Sequence, residues 1–229
     1  MLLISFITLP LYKGCNIPVN NTVKCEGYKV LHPYAFEVYC YTDRELYKLE
    51  EEKDPDIRIK KFIIRFGLLP LRKGKTVFEE LQDTFHIPPA IKAAQAIMES
   101  ALGRTSGMSK LAIRANNYHG IKAKGKENSI SLQTIEYRKG KKQNELAYFA
   151  KYETPYLGMK AHARLLAEGG AYRKFQRTLI PSGEYYCMLP ERRLEYIEYL
   201  INEMGRYATS PTYKKDVMKT VKKYSLHLL

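Results

Sequence analysis

One carboxylate stands apart in the stretch Gln95-Ala96-Ile97-Met98-Glu99-Ser100-Ala101-Leu102-Gly103. From Pro89 to Ala101 almost every residue is apolar or small, and the exceptions are Lys92, Gln95 and Glu99. With 3.6 residues per turn these three share one side of a helix, so that side must face a cleft or a partner while the rest is buried. Glutamate is among the residues least often buried, and a carboxylate in the last turn meets the negative end of the helix dipole. Both effects disfavour the ionised form and push the carboxyl upward, as a general acid working near neutral pH requires. The residues alone leave a second reading open: a helix-end glutamate satisfied by a neighbouring donor.

The elements that must hold Glu99 can be read around it. Thr76-Val77-Phe78-Glu79 has the spacing of a capping box and predicts a helix from Val77 to Phe85. Pro88 and Pro89 end it and pre-set the first turn of the next, which carries Glu99 and should be capped by Gly103. After a polar loop, Ala115-Asn116-Asn117-Tyr118-His119-Gly120-Ile121-Lys122 suits a tight turn. Residues 129–138 and 146–152 alternate in polarity around Lys139-Gly140-Lys141-Lys142, a β-hairpin signature with Glu136 near its far end. Further helices are expected from Thr154-Pro155 to Gly169-Gly170, from Pro190 to Gly205 with an apolar stripe of Leu194, Ile197, Leu200, Ile201 and Met204, and from Ser210-Pro211 with Val217 and Val221 inward. The fold class is α+β, mainly helical, with a cleft between a helical part and a small β part. Residues 1–74 carry no chemical motif and are set apart from residues 75–229.

Composition narrows the partners. The 229 residues are 45% hydrophobic, enough for one sizeable core. Lys and Arg number 38 against 24 Asp and Glu, a net charge of +14, which points to a polyanion: nucleic acid, an anionic membrane surface or a cell wall. The basic residues are scattered, with clusters at 122–126, 138–142 and 214–223, and no nucleic-acid module accompanies them. Tyrosine is abundant at 19 residues and tryptophan absent, and tyrosine rings can stack on sugars as well as fill cores. Cys15, Cys25, Cys40 and Cys187 form no CxxC and have no histidine at metal-ligand spacing, so no metal site is read. Three of them lie in the first forty residues, where one disulfide is expected in an oxidising compartment. Residues 2–12 form an apolar run like the core of a secretory signal, although no Lys or Arg precedes it and it is too short to span a bilayer. Export is the expectation.

Taken in order, Gln95 to Gly103, Asn116 to Lys122, Glu136-Tyr137, and Arg206-Tyr207-Ala208-Thr209-Ser210-Pro211 resemble the four signatures of the endo-β-N-acetylglucosaminidases of glycoside hydrolase family 73. The resemblance covers roughly residues 75 to 227. It implies a lysozyme-like fold, a helical lobe and a small β-hairpin lobe flanking a groove, and cleavage of the β-1,4 bond after N-acetylglucosamine in peptidoglycan. Carried over, Glu99 is the general acid, and Glu136 is the second carboxylate, with Glu127 and Glu145 as rivals. Tyr207 lines the groove beside the acid. Asn117, Tyr118, His119 and Tyr152 are candidate substrate-binding positions, a structural role being the competing reading of His119. The chemistry suits these residue types, since a glycosidic bond needs an acid for the leaving oxygen and negative charge or a base for the oxocarbenium-like centre. Inverting, retaining and substrate-assisted courses all stay open. A lytic transglycosylase and an idle wall-binding module are the competing functions. No cofactor is implied. The implied partner is the glycan strand of peptidoglycan, met by a monomer that is secreted or peripheral to the envelope and binds no nucleic acid. Two positions depart from the family's pattern: Leu102 stands where tryptophan is usual, and His119 where phenylalanine is usual before glycine.

Overall fold

The computed structural model describes residues 31–70, 74–138, 141–205, 207–208 and 210–229. Within them the first helices are α1 (Asp43–Tyr47) and α2 (Pro55–Ile63), the second started by Asp54 and Pro55 and prolonged by a wider turn over Ile64–Leu68. Helix α3 (Val77–Phe85) begins with the expected capping box: Thr76 Oγ1 accepts from the Glu79 amide at 3.2 Å, and the Glu79 carboxylate accepts from the Thr76 amide at 2.8 Å. Then follow α4 (Pro89–Glu99), α5 (Lys110–Ala115), strands β1 (Ser129–Arg138) and β2 (Lys141–Ala150), α6 (Pro155–Glu168), α7 (Arg173–Arg177), α8 (Ser182–Cys187), α9 (Pro190–Glu203) and α10 (Tyr213–Lys223). None of these helices is long and apolar enough to cross a membrane.

Helix α4 lies at the centre. Ala90, Ile91, Ala93, Ala94, Ala96 and Ile97 are all buried, and α3, α6, α9 and α10 pack around it. Small side chains on every face are what let four helices approach one axis closely. The β element stands to one side as a two-stranded antiparallel hairpin, with Ile130 opposite Phe149 and Glu136 opposite Gln143. Its base is tied down by Ala123 donating to Tyr148 O and Ala150 donating to Ile121 O, each at 2.9 Å. A helical body with one small hairpin is the expected architecture.

Several elements differ from expectation. Helix α4 ends at Glu99 without using Gly103, because Ala101 adopts the left-handed conformation (φ 59°). The loop after Gly103 contains α5, and the stretch between α6 and α9 folds into α7 and α8. Cys40 is an exposed free thiol and Cys187 is disulfide-bonded, so the bridge is not confined to the first forty residues; Cys15 and Cys25 lie outside the described residues.

Residues 43–70 are helical and share the core of the rest. Leu49, Ile59, Phe62, Ile63 and Phe66 pack with Phe78, Leu81 and Ile91 in one cluster, and the Phe62 ring meets those of Phe66 and Phe78 at 5.0 and 6.0 Å. Arg58, 1% exposed, passes from α2 to the turn after Glu99, where Nη1 donates to Leu102 O at 2.8 Å and Arg104 O at 2.9 Å. Phe62→Ala should therefore cost about 3–5 kcal/mol, as for a large ring deleted from a core, while loss of the helix cap in Thr76→Ala should cost about 1 kcal/mol. Urea unfolding of the two variants checks the ranking; a Phe62 loss no larger than the cap's would put α2 outside the core.

Candidate active site

Glu99 is the last residue of α4, and its side chain is open to solvent while Lys92 and Gln95, earlier on the same helix, are fully buried. Water reaches the carboxyl from one side only. The protein packed around the other side strips enough hydration to hold it above the ordinary carboxylate range, against the opposing pull of a hydrogen bond from the Tyr213 hydroxyl.

Tyrosines form the wall beside it. Tyr207, in the segment after α9, and Tyr213, at the start of α10, stack with centroids 5.1 Å apart at 25°. Tyr172, just before α7, tilts against Tyr207 at 6.2 Å. Gln95 Nε2 donates to Tyr213 Oη at 3.2 Å. Burial, joined by the negative charge of Glu99, pushes the Tyr207 and Tyr213 phenols upward, so both are neutral hydroxyls over the working pH range.

Behind the tyrosines lies a group of bases. Gly158 on α6 allows the Asn116 carbonyl to press against that helix, where a Cβ would stand 2.2 Å from the oxygen. Asn116 itself takes the left-handed conformation (φ 51°) that ends α5. One turn beyond Gly158, on the same face, His162 receives His119 from that turn, and the two rings stack at 3.9 Å and 14°. Lys92 Nζ is hydrogen-bonded to His162 Nδ1 and lies 3.3 Å from His119 Nε2, while His162 Nε2 lies 2.6 Å from Tyr207 Oη.

The structure brings Glu99 and Tyr207 together and separates others from them. Tyr118 is a correction: it is 4% exposed, with its ring against Phe62 and Phe66, because an aromatic in this turn is drawn into the core rather than onto the groove wall. Asn117 is a second, being 1% exposed and spent on backbone. Its amide donates to Ile121 O and Ala150 O, both at 2.9 Å, and its carbonyl accepts from the Ile121 amide at 3.0 Å. It clips the turn to the hairpin base. His119 is a third, 5% exposed and facing Lys92 and His162, which favours the structural reading over sugar contact. Tyr152 is half-buried at the end of the hairpin, its carbonyl accepting from Asn116 Nδ2 at 2.9 Å. Glu136 stands on β1 opposite Gln143, and its side chain lies outside the described residues. Of its rivals, Glu127 is exposed, and Glu145 stands on β2 opposite Thr134.

Tyr213, His162 and Tyr172 were not singled out by the sequence. Lys92 and Gln95 carried a usable signal, sharing the side of the helix on which Glu99 lies. Tyr213 sits two residues beyond the Ser210-Pro211 motif and His162 inside an ordinary amphipathic helix, so neither had one.

The family described as glucosaminidase, mannosyl-glycoprotein endo-beta-N-acetylglucosaminidase, matches residues 75–226. Exo-glucosaminidase LytG of Bacillus subtilis (strain 168) is 33% identical over 147 residues, 64% of this chain and 47% of that protein, so the chain spans about half the length of that relative. Among solved structures, the catalytic domain of the autolysin Auto from Listeria monocytogenes is 25% identical with a TM-score of 0.49, covering 66% of this chain and 80% of that one. A C-terminally truncated glycoside hydrolase domain of FlgJ from Salmonella typhimurium is 20% identical with a TM-score of 0.47, covering 73% and 97%. The match over residues 75–226 takes in Glu99, Tyr207 and every base behind them, and the chain belongs to the glucosaminidase family.

Proposed function

We propose that this protein hydrolyses the β-1,4 glycosidic bond following N-acetylglucosamine in bacterial peptidoglycan, with Glu99 as the general acid. The observation that carries the reading is a solvent-open carboxylate at the end of a buried helix, held above its ordinary range and hydrogen-bonded by a neutral tyrosine. Family membership over residues 75–226, and the similarity to an exo-glucosaminidase, support it. In this reading one Glu99 oxygen accepts from Tyr213 and the other carries the proton to the leaving oxygen. Glu136, on β1, is the carboxylate assigned to meet the positive charge growing at the anomeric carbon.

The protein acts outside the cytoplasm, at the cell wall. The net charge of +14 and the disulfide at Cys187 support this. Basic side chains are concentrated along a groove between α9 and α10, where Lys214, Lys215, Lys219 and Lys222 flank Met218 and Pro211. Such a surface suits an anionic wall polymer.

Glu99→Gln should lower kcat on purified sacculi by about 10²–10⁴-fold, the usual worth of a general acid, with wall binding retained. Unchanged turnover would remove Glu99 from the chemistry. An acid must be protonated to act, so kcat/KM should fall as pH rises through the Glu99 pKa, at a pH above the ordinary value of about 4.3. Mass spectrometry of the digest should show reducing N-acetylglucosamine ends; anhydro-muramic ends would mean a lytic transglycosylase instead. Co-sedimentation with sacculi should weaken steadily as salt is raised past about 0.1 M, where the screening length is about 10 Å, and binding indifferent to salt would rule out charge as the tether.

A further inference from the structure

The Glu99 carboxyl can be placed no better than the end of the helix that carries it, and that end is held in an unusual way. Helix α4 closes with both hydrogen bonds of a left-handed cap: the Leu102 amide donates to Ile97 O at 3.2 Å and the Ala101 amide to Met98 O at 3.3 Å. The left-handed residue of such a cap is ordinarily glycine, and here it is Ala101, at φ 59°. Its methyl group makes that conformation unfavourable, so the turn is strained. The strain lies two residues from the acid.

Contacts from elsewhere must hold the turn, and α2 supplies them. Arg58 is 1% exposed, and all five of its N–H donors go to backbone carbonyls. Nε and Nη2 donate to Glu52 O, Nη2 also to Lys53 O at 3.3 Å, and Nη1 to Leu102 O at 2.8 Å and Arg104 O at 2.9 Å. One planar group thus ties the chain entering α2 to two carbonyls that follow Ala101. Ile59, the next residue of α2, lies over Gly103, where a Cβ would stand 3.3 Å from its Cδ1. Among the described residues no carboxylate is hydrogen-bonded to or ion-paired with Arg58. A buried charge without a counter-ion is unfavourable for stability, and Ile59, Phe62 and Ile63 already seat α2 in the core, so packing alone gives no reason for a guanidinium here. Arg58 also lies before residues 75–226, so this clamp reaches the glucosaminidase match from the segment that precedes it.

We propose that Arg58 is a positioning residue for the general acid: it holds the left-handed turn at Ala101 through the Leu102 and Arg104 carbonyls, and so fixes where α4 ends and Glu99 leaves the core. Without the clamp Ala101 relaxes to the right-handed conformation and α4 runs on past Ser100. Leu102 and Gly103 then take the helical positions three and four residues beyond Glu99, which lie over its side chain. The carboxyl is covered in that state and cannot meet the leaving oxygen. Turnover therefore falls with the population of the competent turn, while the contacts that bind the glycan stay in place. The inference rests on Glu99 being the acid of the proposed hydrolysis.

Arg58→Met leaves four carbonyls without their donor and can fail to fold, so the main variant is Arg58→Lys, which keeps the charge but has three donors on one atom in place of a fork. Its kcat on purified sacculi should fall roughly 10–100-fold, the scale of a slightly misplaced catalytic group, at unchanged KM. Phe62→Leu disturbs the packing of the same helix and leaves Arg58 in place. It should lose stability yet keep the wild-type kcat at temperatures where circular dichroism shows both variants folded. In an Ala101→Gly background the loss caused by Arg58→Lys should largely disappear, because glycine takes the left-handed turn without a clamp. A folded Arg58→Lys with wild-type kcat, an equal kcat loss in Phe62→Leu, or a loss undiminished in the Ala101→Gly background would overturn the proposal and leave Arg58 a packing role. The three-bond coupling between the amide and α protons of Ala101 reads its φ without substrate. A coupling that changes in Arg58→Lys together with a wild type inert on sacculi would sink the hydrolysis and keep the clamp; an active enzyme whose coupling is the same in both proteins would sink the clamp and keep the hydrolysis.

Discussion

A helix packed on all sides by others can carry polar side chains only where each finds a partner inside the protein, and α4 is such a helix. Its alanines allow α3, α6, α9 and α10 to close around it, which leaves no water for Lys92 or Gln95. Gln95 must use Tyr213, and Lys92 must use the two histidines. Only at Glu99, where the helix ends and Ala101 turns the chain away, does the same face reach solvent. The site is the place where that buried polar row comes out of the core. Its acid is consequently backed by protein that raises its pKa.

The same constraint explains why the turn is placed so firmly. Arg58 holds the carbonyls of Leu102 and Arg104 from α2, so the residues following Glu99 are fixed by a helix that precedes the family match. On the other flank Asn117 clips the turn of Asn116 to His119 to the hairpin base, and Gly158 lets that turn seat on α6. These contacts bring His119 over His162 and leave the hairpin as a separate small element beside the helical body. Three segments distant in sequence thus meet behind one carboxylate, each held by backbone hydrogen bonds rather than by exposed ion pairs, which contribute little.

Local signals were legible wherever a local cause decides the structure. The capping box at Thr76 and Glu79, Pro89 at the start of α4 and Thr154-Pro155 at the start of α6 act within a few residues and gave each helix start to the residue, and alternation gave β1 as 129–138 but began the second strand at 146, where β2 begins at Lys141. The helices between residues 43 and 70 were not read because their apolar positions make sense only against α3 and α4, which a local pattern cannot supply. Ala101 shows the same limit at a helix end: glycine is the ordinary choice for a left-handed residue, and tertiary fixation by Arg58 next to it lets alanine take the role instead. At the site, Glu99 and Tyr207 were legible as motif residues. Tyr118 was misjudged because an aromatic in a polar turn reads the same whether it points to sugar or to Phe62. Tyr213 and His162 were invisible because their partners are fixed by packing alone.

The two departures from the family's pattern are not equivalent. Leu102 is fully buried among core residues, its carbonyl held by Arg58 and its amide donating to Ile97 O, so a leucine there alters the packing beneath the turn. The aromatic surface beside Glu99 is supplied by Tyr172, Tyr207 and Tyr213. His119 is different. A phenylalanine at that position could stack on His162 but could offer nothing to Lys92, and Lys92 would lose one of its two nitrogen contacts in a place without water. Lysine and histidine therefore support one another as a pair, each making the other tolerable in the core.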